Sequence, residues 1–182
     1  RRSSDLLLLE RDEVLGGVLR QCVHDGFGLL KFREQLAGPE YAYRAAAEFA
    51  ASGAAARTGA FVLEIRRDAR GGFELAASSK TEGVRRASAR ALVLATGCRE
   101  RSDRQVFIHG DRPAGIFTAG LAQYLVNVKG LLPGRRAVIL GSGDIGLIMA
   151  RRLTLEGVDV EGVYEIKAEP SGLARNVRQC LE

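Results

Sequence analysis

The apolar positions along this chain come in short runs and helical stripes separated by glycine-marked turns. Leu6 to Leu9 form a continuous apolar run closing on Glu10, the pattern of a strand buried on both faces in a parallel sheet. Residues 11 to 39 read as irregular, with glycines at 16, 17, 26, 28 and 38. Pro39 opens a predicted helix, "PEYAYRAAAEFAASG", built of strong helix formers and closed by Gly53. From Gly59 to Ser79, two extended segments flank the turn "DARGG" as a predicted hairpin. A third segment, "RRASARALVLATG", ends in the apolar run Ala91 to Ala95, read as another buried strand. After a Pro- and Gly-bearing connector, "TAGLAQYLVNVKG" has helical apolar spacing and a Gly130 stop. A turn then leads into a strand at Ala137 to Leu140.

That last strand introduces the most informative stretch, "RRAVILGSGDIGLIMARRLTLEGVDVEGVYE". It holds G-x-G-x-x-G as Gly141, Gly143 and Gly146, with Ser142, Asp144 and Ile145 between them, at the mouth of a helix running to about Glu156. The glycine pattern alone is weak, but strand, glycines and helix in this order are what a dinucleotide fingerprint requires. Gly141 permits the tight turn, Gly143 lets the backbone approach a pyrophosphate, and Gly146 lets the helix pack closely on the strand. The helix N-terminus supplies unpaired N–H groups and positive dipole for phosphates. The next strand, "VDVEGVYE", ends at Glu165, near the offset of the acid that binds a ribose 2′-hydroxyl. An acid there favours NAD over NADP. Asp144, a first-turn acid, is read as favouring the helix dipole.

By the same rule "DLLLLE" has the form of the second strand of such a unit, with Glu10 in the place of Glu165. A first strand and glycine loop are then expected some 20 to 25 residues upstream, where this sequence has nine; either that motif has been removed, or Glu10 is the surface end of an unrelated strand.

Composition narrows the class. The chain has 182 residues, 46% of them hydrophobic, enough for one domain or one domain and part of another. The net charge of +5 comes from arginines scattered among acids, a mixed solvated surface rather than the basic stripe of a nucleic-acid site. Cys22, Cys98 and Cys180 are widely spaced and odd in number, without CxxC, which argues for a reducing compartment over a disulfide scaffold. With only His24 and His109 beside them, no metal site is expected. No apolar run nears 18 residues, so the expectation is a cytoplasmic protein without a membrane span.

The stretches "LLLERDEVLGG", "ARALVLATG", "GIFTAG" and "VILGSGDIGLIMA" resemble the two-dinucleotide-binding flavoproteins of the pyridine nucleotide-disulphide oxidoreductase superfamily, in the family's order. "QCVHDGFG", "LATGCRER", "RPAGIFTAG" and "PSGLARNVRQCLE" look most like the branch containing A-type subunits of opine and amino-acid oxidases and the flavoprotein subunit of hydrogen cyanide synthase. The resemblance implies an α/β, Rossmann-like FAD/NAD(P)-binding fold, incomplete at both ends, with a small antiparallel β insertion. It divides the chain into a partial FAD domain over 1–118, a crossing helix and linker over 119–134, and the first half of an NAD domain over 135–182.

By the same resemblance Glu10 binds the FAD adenosine ribose, Gly16 and Gly17 approach the diphosphate side, and Thr96 and Gly97 make the second FAD contact. Gly141 to Gly146 with Glu165 hold NAD. The implied activity is hydride transfer between flavin and a small substrate such as an amino acid or amine, with NAD as second carrier and other oxidoreductase subunits as partners. No catalytic residue is assigned. Disulphide reduction is disfavoured, because only Cys22 follows the glycine pair; Cys22 and Cys98 are read as small buried hydrophobes. Two alternatives stay open: a nucleotide-binding or interaction module without turnover, and an NAD-dependent dehydrogenase without flavin.

Overall fold

In a computed structural model, residues 5–111 and 113–181 are described. They form two compact units, residues 5–20 with Asp25–Gly97, and Gln21–His24 with 98–181.

The first unit begins with β1 (Leu7–Leu9), followed by a short 3-10 helix (Gly17–Gln21), α1 (Gly38–Ala51) and β2 (Ala55–Arg57). Strands β1 and β2 pair in parallel, Leu7 opposite Ala55 and Leu9 opposite Arg57, so α1 is the crossover that parallel pairing demands. Proline in its first turn and Gly53 at φ +70° just beyond its end explain where α1 starts and stops. Glycine matters at the second site because the left-handed region is costly for other residues.

An antiparallel three-stranded sheet follows, β3 (Phe61–Arg67), β4 (Phe73–Ser79) and β5 (Gly83–Ala89), in the order β3-β4-β5. Its first hairpin closes where expected. The Asp68 carboxylate accepts from the Arg70 N–H at 2.7 Å and the Gly72 N–H at 2.8 Å, the side-chain turn that makes Asp a hairpin residue.

Two strand expectations need correction. Ala91 to Ala95 is not a buried strand: it carries no regular structure, and Val93 and Leu94 are 85% and 68% exposed. The ladder of β5 on β4 ends at the Phe73–Ala89 pair, where the Asp68–Gly72 turn begins, so the following residues have no strand to bond. Nor is β1 buried on both faces. Leu7 is exposed and only Leu8 and Leu9 are half-buried, because among the described residues β1 pairs with β2 alone. The three-residue β2 itself carried no signal of its own in the apolar pattern.

The second unit holds α2 (Ala119–Lys129), β6 (Arg136–Leu140), α3 (Asp144–Leu155), β7 (Asp159–Tyr164) and α4 (Ala174–Cys180). The Thr118 side chain accepts from the Leu121 N–H at 3.3 Å, and Gly130 ends α2 in the left-handed region, a capped start and a glycine stop. Strands β6 and β7 pair in parallel across α3. One apolar cluster joins the helices to this pair: Ala122 and Val126 from α2, Met149 and Leu153 from α3, and Val158, with Ala137 and Val160 packed against it. Gln21 lies against α2, its Nε2 donating to the Gly120 carbonyl (3.0 Å) and to Gln123 Oε1 (3.1 Å). Among the described residues no helix is long and apolar enough to cross a membrane.

Candidate dinucleotide-binding site

The site is assembled at the turn between β6 and α3. Gly141 sits at φ +97° and donates its N–H to the Tyr164 carbonyl at 2.7 Å. That bond ties the loop to the last residue of β7 and brings Glu165, the next residue, beside it. Gly143 is the extended N-cap of α3, without a side-chain cap, and a Cβ built there would meet nothing within 4 Å. The helix therefore opens onto free space with its first N–H groups uncapped by any side chain, the condition for an anion at a helix N-terminus. A Cβ on Gly146 would overlap the Gly141 carbonyl oxygen, so the third glycine is needed for helix and loop to touch. Ile145 is exposed in the first turn of α3, while Leu147, one turn in, is fully buried.

Glu165 is the electrostatic centre of the loop. Its Oε2 accepts from the Ser142 N–H (3.1 Å), the Ser142 hydroxyl (2.5 Å) and the Ser171 hydroxyl (2.6 Å). Its Oε1 accepts from the N–H groups of Ile166 (2.9 Å) and Lys167 (3.2 Å). These donors, the Ser142 hydroxyl foremost and the Ser171 hydroxyl next, hold its carboxyl well below the ordinary range, since hydrogen bonds to the charged form favour it. Asp144 stands at the first position of α3, where its charge suits the dipole. Its Oδ1 also accepts from the Leu173 N–H (2.7 Å) and Asn176 Nδ2 (2.8 Å), and the Leu173 contact is the main reason its pKa is lowered.

In the first unit the residues that the resemblance assigns to FAD have simpler surroundings. Glu10 follows β1 as Glu165 follows β7; its Oε1 accepts from the Asp12 N–H at 2.9 Å. Gly16 and Gly17 lie at φ +116° and +51°, and a Cβ on Gly16 would come within 2.9 Å of the Ala42 Cβ, so this turn packs on α1 only as glycine. Thr96 and Gly97 are exposed at the end of the irregular segment beyond β5. A cavity of about 130 Å³ between β1, β2, β4 and β5, lined by Leu9, Arg57, Leu75 and Arg86, is small beside the several hundred Å³ of a typical cofactor pocket.

Cys22 is buried and its thiol is pushed up by that burial, the opposite of an activated redox thiolate. Cys98 is exposed rather than buried, because it lies beyond the sheet in the irregular stretch after Gly97.

Ser171, Leu173 and Asn176 were not foreseen as loop contacts. The only sequence signal is the Pro-Ser-Gly stretch after β7, while the partners in the glycine loop lie 29 residues from Ser171 and from Leu173 and 32 from Asn176.

No protein-family model and no curated protein matches the chain. Solved structures do. Thioredoxin reductase from Lactococcus lactis is 16% identical with a TM-score of 0.69, over 98% of this chain and 54% of that one. L-proline dehydrogenase from P. horikoshii is 18% identical with a TM-score of 0.65, over 90% and 32%. DfoA from Erwinia amylovora, a cadaverine monooxygenase bound to FAD, is 18% identical with a TM-score of 0.50, over 75% and 32%. The chain has a Rossmann-like α/β fold with a small antiparallel β insertion. It spans from 32% to 54% of the length of these chains. Within that fold both parallel pairs, β1 with β2 and β6 with β7, are joined through a helix; Glu165 follows the second strand of its pair, whereas Glu10 follows the first strand of its own.

Proposed function

We propose that this chain is part of an FAD-dependent, NAD-linked oxidoreductase that moves hydride between a small substrate of the amino-acid or amine class and flavin. The observation that carries the reading is the glycine turn of Gly141, Gly143 and Gly146 between β6 and α3, with Glu165 at the end of β7. Gly143 leaves open space at the α3 N-terminus for a diphosphate, whose negative charge the helix dipole favours. Glu165 stands where an adenosine ribose would be read, and its charge disfavours a 2′-phosphate. In the first unit Glu10 stands directly after β1, ahead of the left-handed turn at Gly16 and Gly17. Glu10 would hold the FAD ribose, with Thr96 and Gly97 as the second contact.

The cofactors, when bound, supply the hydride chemistry; this chain's residues bind and orient them. The substrate class follows the resemblance to opine and amino-acid oxidase A-type subunits. The neighbours' names support it, proline being an amino acid and cadaverine an amine. Disulphide reduction is not favoured despite the thioredoxin reductase likeness, because the three cysteines include no CxxC pair and Cys22 is a buried thiol. The enzyme is read as cytoplasmic and working with other oxidoreductase subunits.

Anaerobic addition of NADH to the purified full-length protein tests the reading. Bleaching of a bound-flavin absorbance band is expected, and its loss on replacing Thr96 and Gly97. A flavin that stays oxidised under NADH would refute the NAD linkage, and a protein that takes up no FAD would refute the flavin assignment.

A further inference from the structure

The segment after β7 folds back onto the glycine loop. Ser171 donates its hydroxyl to Glu165 (2.6 Å) and its N–H to the Ser142 hydroxyl (2.9 Å). Two residues on, the Leu173 N–H and Asn176 Nδ2 both reach Asp144. Between them Gly172 is pressed down so far that a Cβ there would come within 2.6 Å of Leu147 Cδ1 and 3.1 Å of the Ser142 carbonyl. Four hydrogen bonds from residues 171–176 therefore end on the three residues, 142, 144 and 165, that frame the dinucleotide loop.

The acceptor capacity of Glu165 decides what this means. An ionised carboxylate offers about four lone-pair positions, and Glu165 already receives five donors. Three of the five are backbone N–H groups of the turn itself; the other two are serine hydroxyls. A ribose diol would bring two more hydroxyl donors to the same two oxygens, and none is vacant. Ribose and serine hydroxyls are chemically alike, so exchanging one for the other is close to neutral in hydrogen bonding. The exchange nevertheless requires Ser171 to leave, and Ser171 is tied to the loop on both sides.

We infer that residues 170–176 are a latch closed over the ribose end of the dinucleotide site, and that binding swaps the Ser171 hydroxyl for a ribose hydroxyl on Glu165 as the latch lifts. This rests on the dinucleotide reading above. The latch lowers apparent affinity by the fraction of molecules in which it is open. Ser171→Ala removes one tie at an exposed position, and Asn176→Ala removes another, the one on Asp144, without adding charge beside the diphosphate.

The full chain is titrated calorimetrically with ADP-ribose, and amide hydrogen exchange is followed at Ser171 and Leu173. Binding about three- to tenfold tighter is expected in each variant, the size of effect that one hydrogen bond carries. In the unsubstituted protein, ADP-ribose is expected to speed exchange at both amides. Unchanged or weaker binding in both variants, with both amides equally or better protected on ADP-ribose addition, overturns the latch while leaving the dinucleotide site standing. No ADP-ribose binding by the parent chain or by either variant overturns both.

Discussion

Glu165 is the residue on which most of the loop's order depends, and its five donors make a pH prediction. Its folded pKa is depressed below the ordinary value of 4.5, so the stabilisation is fully present above that value. It is lost only as pH falls from there through the lower folded pKa. The amide signals of Ser142 and Ile166 should hold their positions in an NMR titration from pH 7 to about 5 and move well below 4. A midpoint at or above 4.5 would contradict the bonding described. At Gly146 the expectation is steric: Gly146→Ala drives a Cβ into the Gly141 carbonyl and should destabilise the chain by about 1–3 kcal/mol in urea denaturation. The roles of the three glycines were legible from spacing alone, because each answers to a local backbone requirement. The network around Glu165 was not, since Ser142 and Ser171 reach it from 23 and 6 residues away and no short-range pattern encodes that meeting.

At the scale of elements, the helices were the best-read part of the chain. Pro39, Gly53, Thr118 and Gly130 are punctuation that acts within one turn, and α1 and α2 begin and end at them. Strands depend on partners instead, so apolar content misled at Ala91 to Ala95, where the run is real and the ladder is not. The two-residue rhythm of β6, with Ala137 and Ile139 turned inward and Val138 and Leu140 outward, is the pattern of one covered face. Helix α3 covers that sheet and anchors the site through Leu147, which is 0% exposed. Leu147→Ala should cost about 2–5 kcal/mol. The loss should appear as a lower thermal midpoint by circular dichroism; a change near zero would mean that Leu147 does not anchor the loop.

For the molecule as a whole, the glycine turn at Gly141 explains the glutamate at the end of its own second strand, whereas Glu10 stands after β1, the first strand of its pair, so the β6–α3–β7 unit does not account for it by repetition. What spacing could not supply is the closing of residues 171–176 on the loop, which arises only when the chain is folded. The cofactor proposed for the Gly141 turn and Glu165 is NAD rather than NADP. Titrating the chain with NADH and NADPH by nicotinamide fluorescence, alongside Gly143→Val to fill the open space at the α3 N-terminus, addresses it most directly. The account predicts saturable binding that favours NADH by about tenfold or more, consistent with a 2′-phosphate meeting a carboxylate, and loss of both in Gly143→Val. Equal or reversed affinities, or binding untouched by the valine, would contradict it.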